Sequence, residues 1–129
     1  MPDKKRIFIV DDEPEIVKLI TDLLEPAGFE VKSTTEPKQV IYLIKSFKPN
    51  LILLDLLMPT LGGLEICEML NKDSQTQGIP IIVISALAGT VDVKKAYSLG
   101  IVSYFKKPFE LQKLLAEIKK ILSYKETQL

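Results

Sequence analysis

The sequence predicts an α/β fold in which a doubly wound, five-stranded parallel sheet is covered by helices on both faces. Short apolar runs of strand length alternate five times with longer segments of helical periodicity. Strict alternation of strand and helix favours parallel strands joined by right-handed crossovers. The 129 residues suit five such units in one domain, whereas an eight-unit barrel needs about twice that length.

Five short runs are predicted to be strands because they are apolar, rich in β-branched residues and too short for helices. The first covers residues 7–10, and the third, Leu51–Leu54, ends at Asp55. The other three are predicted at about 29–33, 79–84 and 102–105. Pro80 is acceptable in the fourth run because proline is tolerated at the beginning of a strand.

The first predicted helix has a clear beginning and end. Asp12 is a plausible N-cap, and Pro14 fits the first turn, where its missing N–H would have no partner in the helix. Gly28 lies just past the end, as is common for glycine. The apolar face of this helix is predicted to consist of Ile16, Leu19, Ile20, Leu23 and Leu24.

Four further helices follow from apolar spacing and turn residues. The third begins after Gly62-Gly63 and ends near Asn71, before a polar loop at 73–78. The fourth covers about 90–99 and is closed by Gly100. The second and fifth have apolar stripes consisting respectively of Val40, Leu43, Ile44 and Phe47, and of Leu111, Leu114, Leu115, Ile118, Ile121 and Leu122.

The composition excludes several classes of function. Lysine plus arginine equals aspartate plus glutamate, at 17 each, which argues against direct nucleic-acid binding through a basic surface. Histidine is absent and Cys67 is the single cysteine, so neither a histidine site nor an internal disulfide can form. Cys67 lies in an apolar stretch and is predicted to be a small buried side chain rather than a reactive thiol.

The sequence also gives no sign of membrane insertion. No apolar run approaches the ~18–20 residues of a membrane span, and the charged residues near the start are followed directly by a strand-like run. A signal peptide would need a longer apolar core and a small-residue cleavage site. We therefore expect a cytoplasmic protein.

Polar residues follow four of the five predicted strands. Ligand sites in open parallel sheets form at the carboxyl ends of the strands, and here those positions hold Asp11 and Asp12, Asp55, Ser85, and Lys107. Taken singly, each has an ordinary explanation as a cap, a turn residue or a surface charge. Together, three neighbouring carboxylates repel one another and require a cation. Mg²⁺, which prefers oxygen ligands and phosphate, is the natural partner.

Four motifs in order resemble the receiver domain of two-component response regulators. Asp55 lies 43 residues after Asp12, Ser85 lies 30 after Asp55, and Lys107 lies 22 after Ser85. The resemblance covers nearly the whole chain and implies one receiver domain over 1–129, with a core at about 5–123 and a short polar tail. The motifs are Val10-Asp11-Asp12-Glu13, Leu54-Asp55-Leu56-Leu57-Met58-Pro59 with Gly63, Ser85-Ala86, and Tyr104-Phe105-Lys106-Lys107-Pro108-Phe109.

The resemblance implies a flavodoxin-like (βα)5 sheet with strand order 2-1-3-4-5 and a magnesium-dependent phosphoacceptor site. Asp55 would accept the phosphoryl group. Asp12 would bind Mg²⁺ directly and Asp11 mainly through water, with Asp55 and the backbone carbonyl of Leu57 as further ligands. Lys107 would contact the phosphoryl oxygens.

The resemblance also implies a conformational switch. Ser85 would donate a hydrogen bond to the phosphoryl group, and Tyr104 would change rotamer in response. The peptide bond between Lys107 and Pro108 is expected to be cis, while Lys106 matches a variable position and receives no role.

The partners implied by the resemblance are proteins. A sensor histidine kinase or a histidine phosphotransfer domain would donate the phosphoryl group, and the domain would catalyse only its own phosphorylation and hydrolysis. The face formed by the fourth helix, fifth strand and fifth helix would bind a downstream effector, a missing output domain or a second copy in a dimer. The sequence names neither the kinase, the signal nor the target.

Some positions depart from the family pattern. Leu57 and Leu87 stand where many relatives have a polar side chain, which predicts a long-lived phosphorylated form because no side chain there can orient a water. Gly62 replaces a frequent aspartate, and Ile101 and Ser103 replace a frequent alanine and aspartate. None of these changes removes a catalytic group.

Three alternative functions remain. A receiver-like domain that takes no phosphate and serves only as an interaction module is opposed by the intact set of acids, serine and lysine. A flavin or nucleotide binder would need a phosphate-binding loop after the first strand, where this chain has Asp11-Asp12-Glu13. A phosphohydrolase using Asp55 would need an acid in place of Leu57.

Overall fold

A computed structural model of the chain describes residues 4–57, 62–86 and 90–127. Five parallel strands form one sheet in the order β2-β1-β3-β4-β5, which confirms the predicted architecture and strand order. The strands are β1 (Arg6–Val10), β2 (Glu30–Thr34), β3 (Leu51–Leu54), β4 (Ile81–Ser85) and β5 (Ser103–Lys106).

Five helices connect and cover the strands. They are α1 (Pro14–Leu24), α2 (Val40–Phe47), α3 (Gly63–Lys72), α4 (Thr90–Ser98) and α5 (Leu111–Thr127). A 3₁₀ turn over Pro37–Gln39, which was not predicted, leads into α2. The last helix continues into the stretch predicted to be a polar tail, because lysine and glutamate are good helix formers. A helix able to cross a bilayer is not found in the described part of the chain.

Alternate residues of the central strands pack into two separate apolar cores, one on each face of the sheet. Every residue of β3 is buried, as predicted for an uninterrupted apolar run. One core contains Phe8, Val10, Ile52 and Leu54 with Val40, Ile44, Ile66 and Leu70 of the helices. The other contains Ile7, Ile9, Leu51 and Leu53 with Ile20, Leu24, Leu114 and Ile118.

Cys67 belongs to the first of these cores and is fully buried. Burial raises the pKa of its thiol to about 12. The prediction of a small, buried side chain is therefore confirmed.

Three local predictions were wrong. The residue that precedes α1 as its N-cap is Glu13 rather than Asp12, and no side chain caps the helix. Leu19 is 46% exposed, because the buried stripe of α1 runs through Ile20 and Leu24, and consecutive residues of a helix point about 100° apart. The fourth strand begins at Ile81 rather than 79 because the N–H of residue 79 bonds to Thr76 and Pro80 has none.

Smaller differences affect other boundaries. The second and fifth strands each begin one residue later than predicted and end one residue later, and α3 ends at Lys72. These shifts leave the order and type of every element unchanged.

Arg6 ties the amino end of the sheet to the carboxyl end of α2. Its guanidinium donates to the backbone oxygens of Phe47, at 2.9 Å, and of Lys48, at 2.7 Å. Its backbone N–H donates to the side chain of Asn50 at 2.7 Å. Lys48 ends the helix with a positive φ of 53°. Arg6 thus pairs two carbonyls that a helix end would leave without partners.

Gly63 allows α3 to begin directly against the connection that follows β3. Its N–H donates to the carbonyl of Leu56 at 3.1 Å. A Cβ at this position would lie 2.4 Å from Cα of Leu56 and 2.5 Å from the carbonyl oxygen of Asp55. Both atoms belong to the backbone, so neither can move aside independently.

We expect Gly63→Ala to lower the free energy of unfolding by about 2 kcal/mol, because overpacking against backbone typically costs 1–3 kcal/mol. Helix propensity alone would predict the opposite sign. Gly78→Ala is the control, since a Cβ there meets nothing within 4 Å, and it should change stability by less than about 0.5 kcal/mol. Denaturant unfolding measures both; an equally stable Gly63→Ala would contradict the close approach.

Candidate functional site

Two buried aspartates lie side by side at the carboxyl ends of β1 and β3. Asp11 and Asp55 are 2% and 3% exposed. The strands are neighbours in the sheet, with Val10 opposite Leu54, and the N–H of Asp55 donates to the carbonyl of Val10 at 2.9 Å. The apolar runs that precede them therefore place both carboxylates at one edge.

Each aspartate closes a turn as its strand ends. Oδ1 of Asp11 accepts a hydrogen bond from the N–H of Glu13 at 2.9 Å. Oδ1 of Asp55 accepts one from the N–H of Leu57 at 3.0 Å. These local bonds fix the two carboxyl groups and direct one oxygen of each, Oδ2, to a common partner.

That common partner is Lys107. Its Nζ donates to Oδ2 of Asp11 at 3.0 Å and to Oδ2 of Asp55 at 3.2 Å. A third bond, at 2.8 Å, reaches Oε2 of Glu13. The backbone N–H of Lys107 donates to the carbonyl of Ser85 at 2.8 Å, and the Lys107–Pro108 peptide bond is cis.

Burial and the neighbouring charges shift the pKa values of two groups in this cluster, Asp11 and Lys107. Burial raises the pKa of Asp11, against the lowering effect of the hydrogen bonds from the Glu13 amide and from Lys107. Burial would lower the pKa of Lys107, but hydrogen bonds to Glu13 and Asp11 and the charges of Asp11 and Asp55 outweigh it, so the pKa is raised. The lysine therefore remains an ammonium ion in contact with several carboxylates.

The carboxylates form a set of oxygen donors suited to a hard cation. Asp11, Asp12 and Asp55 each offer an oxygen, and these atoms all lie within 4.8 Å of one another. Oxygen donors at this spacing fit Mg²⁺, which binds through one or two carboxylates and completes its shell with water and phosphate. The predicted use of the Leu57 carbonyl stays a prediction, as does the division of the ligands between direct and water-mediated contact.

The two predicted switch residues lie on adjacent strands. Ser85 is fully buried at the end of β4. Tyr104 is half-buried in β5, opposite Val83, and packs against the core on the α2 and α3 face. Lys106, to which no role was assigned, lies opposite Ser85 and is exposed.

No role was predicted for Glu13, although this residue makes the shortest of the three bonds to Lys107. The signal was present in the acidic run Asp11-Asp12-Glu13, but spacing alone does not show which acid faces the lysine.

Leu57 is 47% exposed. Leu87, like Met58 and Pro59, lies outside the described residues, so the predicted effect of the two leucines stays a prediction.

Comparison with known proteins agrees with this fold. Residues 7–119 match the family model described as the response regulator receiver domain. The chain belongs to that family, whose members are domains of two-component signalling proteins.

The DNA-binding response regulator MtrA of Mycolicibacterium smegmatis is 32% identical over 125 residues, which are 97% of this chain and 54% of that protein. The DNA-binding dual master transcriptional regulator RpaA of Synechocystis is 33% identical over 91% of this chain and 48% of its own length. The chain thus spans about half the length of these curated relatives. A CheY-like receiver domain protein from Methanospirillum hungatei has a TM-score of 0.91 and 28% identity, with 98% of this chain and 99% of that chain covered.

We expect Lys107→Met to lower the free energy of unfolding by roughly 2–4 kcal/mol in magnesium-free buffer, because it leaves two buried carboxylates without their cation. Methionine retains the apolar stem. Lys106→Met, at the exposed neighbouring position, is the control and should stay within about 0.5 kcal/mol of wild type. Thermal and denaturant unfolding measure the difference, and equal stability of the two variants would show that the ammonium does not stabilise the cluster.

Proposed function

We propose that the domain accepts a phosphoryl group on Asp55 in a magnesium-dependent reaction and thereby changes its binding surface. The observation that supports this most directly is the bond network of Lys107, whose ammonium contacts both Asp55 and Asp11 at the carboxyl edge of the sheet. In a receiver domain this edge would be the site of phosphoryl transfer. The carboxylate oxygens of Asp11, Asp12 and Asp55 suit the Mg²⁺ ion that the reaction requires.

The chemistry follows from the positions of these groups. A carboxylate oxygen of Asp55 forms the new bond to phosphorus while the bond from phosphorus to the donor breaks, and the leaving group departs with that electron pair. The bond from the Leu57 amide to Oδ1 fixes the carboxyl group for this attack. Lys107 neutralises charge on the phosphoryl oxygens, which is the main requirement of such a transfer. Bound Mg²⁺ would neutralise the remaining oxygen charge.

The proposed switch connects this site with a distant surface. The Ser85 hydroxyl would donate a hydrogen bond to the phosphoryl group, and Tyr104 would turn inward into the space beside β4. Two packings of one core that differ little in energy can be exchanged by such a change. The proposed binding surface is the face formed by α4, β5 and α5; Tyr97 in α4 and Val102, directly before β5, are 47% and 45% exposed.

The proposed partners are proteins rather than nucleic acid. A sensor histidine kinase or histidine phosphotransfer domain would be the phosphodonor in the cytoplasm. The relatives named above are DNA-binding regulators and are about twice the length of this chain. We therefore propose that this domain passes its state to an output domain or to a separate effector, while its balanced charge gives it no direct role on DNA.

Incubation of the domain with Mg²⁺ and acetyl phosphate should add the mass of one phosphoryl group, because Asp55 attacks small donors by the same in-line route. Asp55→Asn should gain nothing. Intact-protein mass spectrometry at several times is the measurement. An unmodified wild type, under conditions that label another receiver domain, would leave only the interaction-module alternative.

The acids and the lysine should differ in their effects on Mg²⁺ affinity. Asp12→Ala should weaken binding because it removes a ligand, whereas Lys107→Ala should leave affinity unchanged or raise it because it removes a competing cation. Asp22→Ala is the control, since Asp22 pairs with Lys18 on the exposed side of α1. Calorimetric titration with MgCl₂ measures all four proteins; equal losses for Asp12→Ala and Lys107→Ala would contradict these roles.

A further inference from the structure

We propose that Glu13 is an electrostatic brake on phosphorylation: its carboxylate holds the ammonium of Lys107 at the mouth of the site and repels the incoming phosphodonor. This inference rests on the proposed function, since it concerns the rate at which Asp55 is phosphorylated. It assigns Glu13 as a positioning residue that acts through Lys107 and through its own charge.

The geometry supports this assignment because Glu13 competes directly for the lysine. Nζ of Lys107 lies 2.8 Å from Oε2 of Glu13, closer than the 3.0 Å to Asp11 and the 3.2 Å to Asp55. Asp11 and Asp55 are buried beneath the lysine, whereas the Glu13 side chain is 51% exposed. Glu13 is therefore the member of the trio that an approaching donor meets first.

The carboxylate of Glu13 has no other structural task in the described residues. Glu13 is the N-cap residue of α1, but its side chain makes no capping hydrogen bond. The backbone of Glu13 supplies the helix contacts instead, through its carbonyl to Ile16 and Val17 and its N–H to Asp11. A change confined to the side-chain carboxylate should leave these bonds in place.

The charge of Glu13 opposes phosphoryl transfer in two ways. Its bonded oxygen shares one nitrogen with Oδ2 of Asp55, so the two oxygens are at most about 6 Å apart. A phosphoryl group on Asp55 thus enters the field of a carboxylate at short range, where like charges repel strongly. The new phosphoryl oxygens must also draw Lys107 away from Glu13, so the lysine loses its shortest contact.

The decisive variant is Glu13→Gln, which removes the charge and keeps the side-chain length. With saturating Mg²⁺ and low ionic strength, its labelling by acetyl phosphate should be roughly three- to tenfold faster than wild type, as expected for one fewer unit charge near a dianionic donor. At about 1 M salt the ratio should fall towards one, because the screening length drops to about 3 Å. Mass spectrometry of the initial rates provides the measurement.

Two matched variants separate charge near the lysine from other effects. Glu15→Gln removes the same charge from the exposed first turn of α1 and should label at the wild-type rate. Glu13→Asp keeps the charge but shortens the reach, so it should lose part of the hold on Lys107, keep the repulsion of the donor, and label at a rate between those of wild type and Glu13→Gln. A role of the side-chain length alone would instead make the aspartate variant the faster of the two. In magnesium-free protein, the NMR signal of the Lys107 ε-methylene should move in Glu13→Gln and not in Glu15→Gln.

Different results would follow if the Glu13 brake were wrong and if the phosphoacceptor role of Asp55 were wrong. Labelling of all variants at Asp55 at one rate, or equal acceleration by Glu15→Gln, would overturn the brake while leaving the phosphoacceptor role intact. An acceleration that persists at high salt would also overturn it, because screened charges cannot produce it. Absence of label in every protein, wild type included, would overturn the proposed function and the brake together.

Discussion

The contact between the Lys107 ammonium and two buried aspartates is the constraint around which the carboxyl edge of the sheet is arranged. Two ionised carboxylates on neighbouring strands repel each other most strongly where water is excluded. The ammonium of Lys107, which follows β5, offsets that repulsion. Its side chain must reach past β4, the strand that lies between β3 and β5. The backbone bond from Lys107 to Ser85 fixes this approach, so the order of the strands and the composition of the site depend on each other.

The rest of the fold compensates for this concentration of charge. The strands that lead to Asp11 and Asp55 are buried at every position except Arg6, and two apolar cores pack against them from opposite faces. The connection after β3 is tightened further by Gly63, which lets α3 start against the backbone that leads away from Asp55. The acids can therefore remain crowded because the strands that bear them cannot separate.

Most of the fold and the set of polar residues at its edge could be predicted from the sequence, because both follow from local patterns. The apolar runs predicted the strands, and the polar residues at the carboxyl end of each run were Asp11, Asp55, Ser85 and Lys107. The bond between Glu13 and Lys107 joins residues 94 positions apart, so no local pattern contains it. The errors at Leu19 and at the start of β4 have similar causes, since packing against the sheet and turn bonding decided them.

The amino end of the sheet gives the molecule a different character from its reactive end. There the Arg6 side chain binds the last carbonyls of α2 while its backbone binds Asn50, next to the start of β3. A strand, a helix and the following strand are thus clamped at one pole, about the length of a strand from the acids. Because the Arg6 bonds and the Lys107 bonds lie at opposite ends of β1 and β3, a change of charge beside Asp11 and Asp55 can alter the carboxyl edge without breaking any bond that holds the amino edge.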